Sequence, residues 1–178
     1  MRLLGAIIAG GKSRRMGQDK AFVEWRGKTL ITHVTERLSV QTDQLIINAN
    51  SNLEHLGIGI VPDKIETGTP VAGLHAVLTY AVEHGFDAVL TSPCDTPLLP
   101  SDLRALLSGH GAAIAASGGQ AHYLTGFWPV GSLDVLDGLI RVKDFAAAAK
   151  AKQVEWPVKD YDPFLNINTP KDLLYLPG

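Results

Sequence analysis

The sequence predicts an α/β fold, built as a mostly parallel sheet with helices on both faces. Short apolar runs of strand length alternate with segments of helical periodicity along the chain. This alternation favours a parallel sheet whose right-handed crossover helices cover both faces. The chain has 178 residues, of which 46% are hydrophobic, which is enough for one well-buried core and too few for two comfortable domains. We therefore expect a single domain over residues 1–178.

The predicted core strands are five short apolar segments. They cover residues 3–8, 45–47, 58–61, 88–91 and 112–116. Predicted helices cover residues 29–40 and 69–84, and a third begins at Pro100 or Ser101. Thr69 and Pro70 suit the cap and the first position of a helix, because proline needs no backbone donor there. Residues 21–25 alternate like a short strand that turns at residues 26–28.

The second half of the chain has a less regular pattern. It predicts an antiparallel strand, two helices and an edge strand, at residues 123–129, 132–139, 143–150 and 154–158 respectively. Pro157 favours an edge position for the last of these, because proline cannot donate to a central ladder. Residues 164–168 alternate between apolar and polar, which predicts one more strand. Thr169, Pro170 and Asp172 then fit the cap, the first position and the third position of a final helix.

Composition excludes several function classes. The formal net charge of −2 gives no general attraction to nucleic acid or to an anionic membrane, so any anion-binding region must be local. The single cysteine, Cys94, excludes a disulfide framework within the chain. None of the six histidines stands at a metal-ligand spacing, so zinc is not expected. The sequence shows no charged-then-apolar leader and no long apolar span, and we expect a cytoplasmic protein.

The first predicted strand runs directly into a loop that combines paired glycines with cations. Gly10 and Gly11 allow another molecule to approach the backbone closely. The loop also carries four cationic residues, Lys12, Arg14, Arg15 and Lys20. Backbone N–H groups and mobile cations together suit a polyphosphate, so we expect a nucleoside triphosphate. Two other phosphate loops do not fit, because Ala6 replaces the first glycine of a Walker A loop and Lys12 replaces the second glycine of a dinucleotide fingerprint.

Polar residues follow most of the predicted strands, at the edge where ligands of parallel α/β sheets bind. Besides the glycine loop, the set comprises Asn48, Asn50, Asp63, Asp95, Asn166 and Asn168. These residues supply amides that can bind a base or ribose and a carboxylate that can bind a hard metal ion. Nucleotidyl transfer needs such groups, because attack on the α-phosphorus builds charge on its oxygens and expels pyrophosphate.

Asp95 is the predicted Mg²⁺ ligand. It follows a strand and lies between two prolines that restrict the turn. Magnesium typically takes one or two carboxylates while phosphates and water fill its other positions, so one aspartate is sufficient. The structural alternative for Asp95 is an Asx-turn or a cap. For Arg15 and Lys20 the alternative is a solvated loop charge, and the asparagines and Asp63 are also typical of strand-ending turns.

Residues 8–20 resemble the L-A-G-G-x-S-x-R-M-G-x-D-K signature of molybdenum cofactor guanylyltransferases, with Ile8 in place of the leading leucine. Three later segments are similar to further motifs of that family. Residues 69–73 resemble G-P-L-A-G with Thr69 in place of glycine, residues 94–97 match C-D-x-P, and residues 166–170 match N-x-N-T-P. The resemblance spans residues 3–173. One departure is His122-Tyr123, where family members often have His-Pro.

The resemblance implies a three-layer, Rossmann-like nucleotidyltransferase that transfers GMP from MgGTP to molybdopterin-bound molybdenum cofactor. It implies GTP contacts from the loop backbone, a lysine and two strand ends, namely Ile8, Ala9, Gly10, Gly11, Lys20, Asn48 and Asp63. It also implies that Asp95 binds magnesium and that Asn166 and Asn168 face the pterin. We predict that Arg15, Lys20 and Asp95 are the catalytic residues. A molybdoenzyme or its chaperone is a further expected partner.

Three alternatives stay open. A cytidylyltransferase acting on the same cofactor usually has L-A-A-G in the opening loop, so Gly11 favours guanine. A sugar-1-phosphate nucleotidyltransferase is a more distant alternative, because those chains usually run longer. A non-catalytic carrier would bind GTP and deliver cofactor to a partner enzyme without releasing pyrophosphate.

Overall fold

The computed structural model describes residues 1–10, 20–51 and 53–177, and in them the chain forms nine strands. They are β1 (Leu3–Ile8), β2 (Glu24–Trp25), β3 (Lys28–Thr29), β4 (Gln44–Asn48), β5 (Gly59–Val61), β6 (Ala88–Pro93), β7 (Ala113–Ser117), β8 (Gln120–Pro129) and β9 (Lys152–Trp156). β2 and β3 form a small hairpin, and the other seven form one sheet in the order β5-β4-β1-β6-β8-β7-β9. Neighbouring strands are parallel except where β8 pairs with β6 and β7. The predicted mostly parallel sheet is confirmed.

Helices cover both faces of this sheet. The α-helices in the described residues are α1 (Leu30–Ser39), α2 (Pro70–Glu83), α3 (Leu103–Leu107) and α4 (Val142–Ala148). Shorter 3₁₀ turns lie at Lys20–Phe22, Glu54–Leu56, Ser108–His110, Val130–Val135 and Pro170–Tyr175. α1 and α3 pack in one buried apolar cluster, and α2 and α4 pack in a second. The three-layer, Rossmann-like arrangement is therefore confirmed.

The side chains of β1 show how the two cores are separated. Leu3 and Ile7 lie in the cluster with α1, whereas Leu4 and Ile8 lie in the cluster with α2. Successive side chains of a strand point to opposite faces, so an unbroken apolar run supplies both cores at once.

No helix of the described residues is long and apolar enough to cross a membrane. That residues 1–178 form one domain stays a prediction.

The predicted starts of the first two helices are confirmed by their caps. The Thr29 hydroxyl accepts from the backbone N–H of Thr32, and the Thr69 hydroxyl accepts from that of Val71. α3 begins at Leu103, later than predicted. The side chain of Gln41 explains the delay, because its Oε1 accepts from the backbone N–H of Arg104 (3.2 Å) while its Nε2 donates to the carbonyl of Pro100 (2.9 Å).

Other predictions of secondary structure are wrong. Residues 164–168 form no strand, because the N–H of Ile167 donates to the carbonyl of Asp95 (2.9 Å) instead of to a neighbouring strand. The predicted helix at 132–139 is the 3₁₀ turn Val130–Val135, and the strand at 21–25 is reduced to Glu24–Trp25 after a 3₁₀ turn. The final helix, Pro170–Tyr175, is also 3₁₀.

Candidate active site

The candidate active site lies at the sheet edge where β1, β4, β5, β6 and β7 end, since these five strands run in the same direction. The start of the glycine loop is fixed there. The N–H of Ala9 donates to the carbonyl of Asn48 (2.9 Å), and the N–H of Cys94 donates to the carbonyl of Ile8 (3.3 Å). Gly10 follows and is exposed. Gly11 and Arg15, which we predicted to bind phosphate, lie outside the described residues.

Asn48, Asn50 and Asp63 form a hydrogen-bonded group beside Gly10, which we call the amide cluster. Asn48 Nδ2 donates to Asp63 Oδ1 (2.9 Å) and to the carbonyl of Val61 (3.1 Å). Asn50 Nδ2 donates to Asp63 Oδ2 (2.8 Å), and the N–H of Asp63 donates back to Asn50 Oδ1 (2.9 Å). The ends of β4 and β5 are thus joined by side chains that the sequence predicted separately.

One atom of the amide cluster has no hydrogen-bond partner among the described residues. Asn48 Oδ1 is buried and unpaired. Glycines flank it, since a Cβ built on Gly73 would lie 2.2 Å from this oxygen and a Cβ built on Gly10 would lie 3.1 Å from it. An unpaired buried acceptor costs about 1–3 kcal/mol. A ligand N–H or O–H that reached Oδ1 would remove that cost.

Lys20, Asp95, Asn166 and Asn168 form the second group, which we call the carboxylate cluster. Lys20 Nζ donates to Asn168 Oδ1 and lies 3.5 Å from Asp95 Oδ2. Asn166 Nδ2 donates to Asp95 Oδ1 (2.8 Å). The side chains of Lys20 and Asp95 are each only 13% exposed. Three distant parts of the chain therefore meet around one partly buried carboxylate.

The carboxylate oxygens of Asp95 bear on which metal ion could bind at this site. Among the described residues, each carboxylate oxygen of Asp95 has one partner, and a carboxylate oxygen can accept more than one contact. Within the described residues, no group of three or more His, Cys, Asp and Glu side chains could hold a metal ion. A single carboxylate suits an ion that takes one protein carboxylate and completes its shell with phosphate and water, as Mg²⁺ does.

Asp172 holds the backbone next to Asn168. Its Oδ2 accepts from the N–H of Asn168 (2.7 Å) and from that of Thr169 (2.7 Å). Desolvation would raise the pKa of Asp172, but the backbone hydrogen bonds from Thr169 and Asn168 outweigh it, so the pKa lies below the ordinary value. The acidic residue predicted at the third position of the final helix thus fixes the backbone of a residue of the carboxylate cluster.

Comparison with known proteins identifies the family. The model of the MobA-like NTP transferase domain matches residues 5–154. The chain belongs to this family. It is 42% identical to a molybdenum cofactor guanylyltransferase of Cereibacter sphaeroides, over 97% of this chain and 94% of that protein. It is 37% identical to a protein of the same name from Rhizobium johnstonii, over 97% of this chain and 90% of the relative.

A solved structure confirms the fold. The molybdopterin-guanine dinucleotide biosynthesis protein A of Archaeoglobus fulgidus superposes with a TM-score of 0.73 over 96% of this chain and 95% of its own, at 24% identity. The protein is therefore a nucleotidyltransferase of the MobA-like family with the family's α/β fold.

Within this MobA-like domain, most predicted site residues lie in two groups at one edge. The amide cluster lies where β4 and β5 end, and the carboxylate cluster lies beyond β6. Asn166 and Asn168 contact Asp95 and Lys20, so the predicted pterin side is directly joined to the predicted nucleotide side. Sequence reasoning missed Ser117 and Asp162, which are hydrogen-bonded to each other (2.7 Å) at the same edge. No spacing in the sequence links these two residues, because they are brought together by the pairing of β7 with β9.

Proposed function

We propose that this protein transfers GMP from MgGTP to the terminal phosphate of molybdopterin-bound molybdenum cofactor, forming the guanine dinucleotide and pyrophosphate. The names of relatives at 37–42% identity support this activity. The observation that carries the proposal is the Lys20–Asp95 pair, which lies between the end of β1 and the asparagines of the carboxylate cluster. Cation, carboxylate and amides there suit a triphosphate and a second substrate.

Each residue of the carboxylate cluster has a role in this proposal. A phosphate oxygen of the acceptor attacks the α-phosphorus of GTP, the bond to the β-phosphate breaks, and pyrophosphate leaves. Lys20 Nζ has three donor hydrogens, so beyond Asp95 and Asn168 it can place one on a phosphate oxygen as negative charge develops. Asn166 holds the Asp95 carboxylate in place. Bound Mg²⁺ would supply charge neutralisation and polarise the phosphates.

The amide cluster is the proposed contact for the nucleoside. Asn48 Oδ1 offers a buried, unpaired acceptor to a ribose hydroxyl or a base N–H, and the glycines on both sides place no side chain against it. Asp63 fixes the amide orientation, because its Oδ1 takes the Nδ2 hydrogen of Asn48. The nucleotide would then extend along the sheet edge from the amide cluster to the carboxylate cluster.

Pyrophosphate release tests the proposed reaction. GTP, CTP and ATP are each supplied with Mg²⁺, with and without molybdopterin, and we expect pyrophosphate only from GTP with molybdopterin. Release from CTP instead would identify a cytidylyltransferase. GTP binding without release in either condition would identify a carrier.

Asp95→Asn tests the proposed metal ligand, because it keeps the shape of the side chain and removes the charge. We expect turnover to fall by about 10²–10³-fold, the size of losing one electrostatic contact to a transition state. Magnesium titration should show weaker activation, while the melting temperature changes little. Asp134→Asn, the same change at an exposed residue, is the control. Normal turnover by folded Asp95→Asn would contradict the assignment.

A further inference from the structure

Ser117, His122 and Asp162 form a hydrogen-bonded chain that the proposed reaction does not yet use. The Ser117 hydroxyl donates to Asp162 Oδ1 (2.7 Å), and His122 Nε2 lies 2.7 Å from Ser117 Oγ. Asp162 Oδ1 also accepts from the N–H of Phe164 (2.9 Å). Ser117 is 1% exposed, so one end of this set of hydrogen bonds is buried in the protein. His122 is only half-buried.

The two hydrogen bonds of Ser117 determine which nitrogen of His122 carries the hydrogen. A serine hydroxyl has one hydrogen to donate, and Ser117 gives it to Asp162. The same hydroxyl can therefore only accept from His122, which requires a hydrogen on Nε2. A neutral imidazole carries one N–H, so Nδ1 is left as a bare acceptor. It makes no hydrogen bond within the described residues, and it is not among their buried unpaired atoms.

His122 lies close to the carboxylate cluster. β8, which carries His122, runs between β6 and β7, and neighbouring strands are about 4.8 Å apart. Asp95 follows the end of β6, and β8 is the strand paired beside β6, so the two residues belong to neighbouring strands at the same edge. The pairing of β7 with β8 also shifts register between Ile114 and Ala115, which puts three extra residues on β8 directly after His122. Bulges of this kind re-aim side chains beside active sites.

The segment that follows Asp162 links His122 to the same cluster. The ring of Phe164 packs on the His122 ring, with 4.9 Å between centroids. Two residues later, Asn166 donates to Asp95. His122 is thus held by the segment that supplies both asparagines of the carboxylate cluster, on the side away from the amide cluster.

We propose that His122 is a binding residue for the acceptor, and that its Nδ1 accepts a hydrogen bond from an N–H group of the pterin ring. This inference rests on the proposed function, because it assigns a contact to the second substrate. Ser117 and Asp162 are positioning residues that keep the hydrogen on Nε2. A pterin has N–H donors, and a site that pairs with such a donor rejects ligands lacking it.

The protonation state of His122 agrees with an accepting Nδ1. Desolvation lowers the pKa of His122 below its ordinary value, against the opposing effects of the negative charges of Asp162 and Glu155. The imidazole is therefore neutral near pH 7. A protonated ring would carry hydrogen on both nitrogens and could not accept from a pterin N–H.

The first test is a direct binding titration with molybdopterin, which needs no turnover. We expect His122→Phe to weaken molybdopterin binding about tenfold, as for one lost hydrogen bond, and to leave GTP binding within about twofold. His122→Asn, whose amide oxygen can occupy the Nδ1 position, should recover most of the affinity. His110→Phe, at an exposed residue before β7, is the matched control. Equal molybdopterin affinity of His122→Phe and wild type would overturn the proposal.

The second test reads the tautomer by ¹⁵N NMR of the imidazole in the intact protein. We expect hydrogen on Nε2 in the wild type and loss of this preference in Ser117→Ala. A hydrogen on Nδ1 in the wild type would overturn the proposal without reference to any activity. If molybdopterin binds but GTP is not consumed, the proposed reaction fails while the His122 contact is still decided by the titration.

The third test is the pH dependence of molybdopterin affinity, compared between wild type and His122→Phe. Below the pKa of His122 the ring becomes charged, Nδ1 stops accepting, and the wild type should lose its advantage over the variant. The comparison cancels titration of the molybdopterin phosphate, which affects both proteins alike. An advantage that grows in acid would mean that His122 donates to phosphate, and the N–H contact would be wrong.

Discussion

Lys20 and Asp95 illustrate how burial changes the value of a charged pair. Exposed pairs contribute about 0–1 kcal/mol to stability, whereas truncating one partner of a buried pair leaves an uncompensated charge. Both side chains are 13% exposed, and the two charged atoms are 3.5 Å apart. The pair is therefore neither a solvent-screened contact nor a fully buried one. Its cation is partly desolvated, which strengthens its attraction for a phosphate.

Lys20→Ala should therefore reduce turnover far more than it reduces stability. We expect a loss of about 10²–10³-fold in kcat/KM for GTP, comparable to removing one donor from an oxyanion site. Lys64→Ala is the matched control, because Lys64 Nζ pairs with Glu83 Oε1 (2.8 Å) on the exposed surface. The measurements are pyrophosphate release and a melting curve for each variant. A Lys20→Ala rate within about twofold of wild type would correspond to well under 1 kcal/mol and contradict the phosphate role.

At the scale of elements, residues 162–176 cross the end of β6 and hold Asp95 and Lys20 by hydrogen bonds. Phe164 and Ile167 are buried in two different apolar clusters. Asn166 and Asn168 point instead to Asp95 and Lys20. Ile167 is buried between two polar asparagines, which agrees with the polar and apolar pattern of residues 166–168. The interpretation of this segment as a strand was wrong, because the backbone bonds to the Asp95 turn and to Asp172.

Asp172→Asn tests whether the stability of this segment depends on the Asp172 carboxylate, which accepts the backbone hydrogen bonds of Asn168 and Thr169. The folded pKa of Asp172 is lowered, so its stabilising effect is complete above the unfolded value near 3.8 and is lost as pH falls through the folded value. We therefore expect the variant to melt slightly below wild type at neutral pH, and the difference to vanish in acid. Melting temperatures across that pH range give the measurement.

Asp160→Asn, an exposed change in the same part of the chain, controls for the loss of one negative charge. It should shift melting by the same small amount at every pH where both carboxylates are ionised, or not at all. If Asp172→Asn and wild type differ equally at neutral and acid pH, the backbone hydrogen bonds of the carboxylate are not the cause.

At the scale of the whole molecule, periodicity predicted the layers, and the predicted strand ends indicated which polar residues lie at one edge of the sheet. Local patterns specify strands such as Leu3–Ile8 and capped helices such as Pro70–Glu83, because burial on both faces and a capping threonine are properties of neighbouring residues. The Ser117–Asp162 contact is not local: it depends on β7 pairing with β9 and on the turn after Trp156. The tautomer of His122 follows from that contact, so no sequence pattern could predict it.

Three elements converge on the oxygen of Asn48, and this convergence depends on the assembled fold. β4 ends at Asn48, β1 leads into Gly10, and α2 presents Gly73 in its first turn. The Asn48 amide cannot easily move aside, because its Nδ2 is held by Val61 and Asp63. A side chain at Gly73 would therefore have to displace a fixed group.

Gly73→Ala sets two opposing effects against each other. Alanine favours the helix interior over glycine by about 1 kcal/mol, but its Cβ would lie 2.2 Å from Asn48 Oδ1 and 3.3 Å from Ile8 Cγ2. Overpacking of this kind costs about 1–3 kcal/mol, so we expect a lower melting temperature and GTP affinity weakened about tenfold or more as the Asn48 oxygen is displaced. Gly109→Ala is the control, because its Cβ would meet nothing within 4 Å. Unchanged GTP affinity in folded Gly73→Ala would show that the nucleoside does not use Asn48 Oδ1.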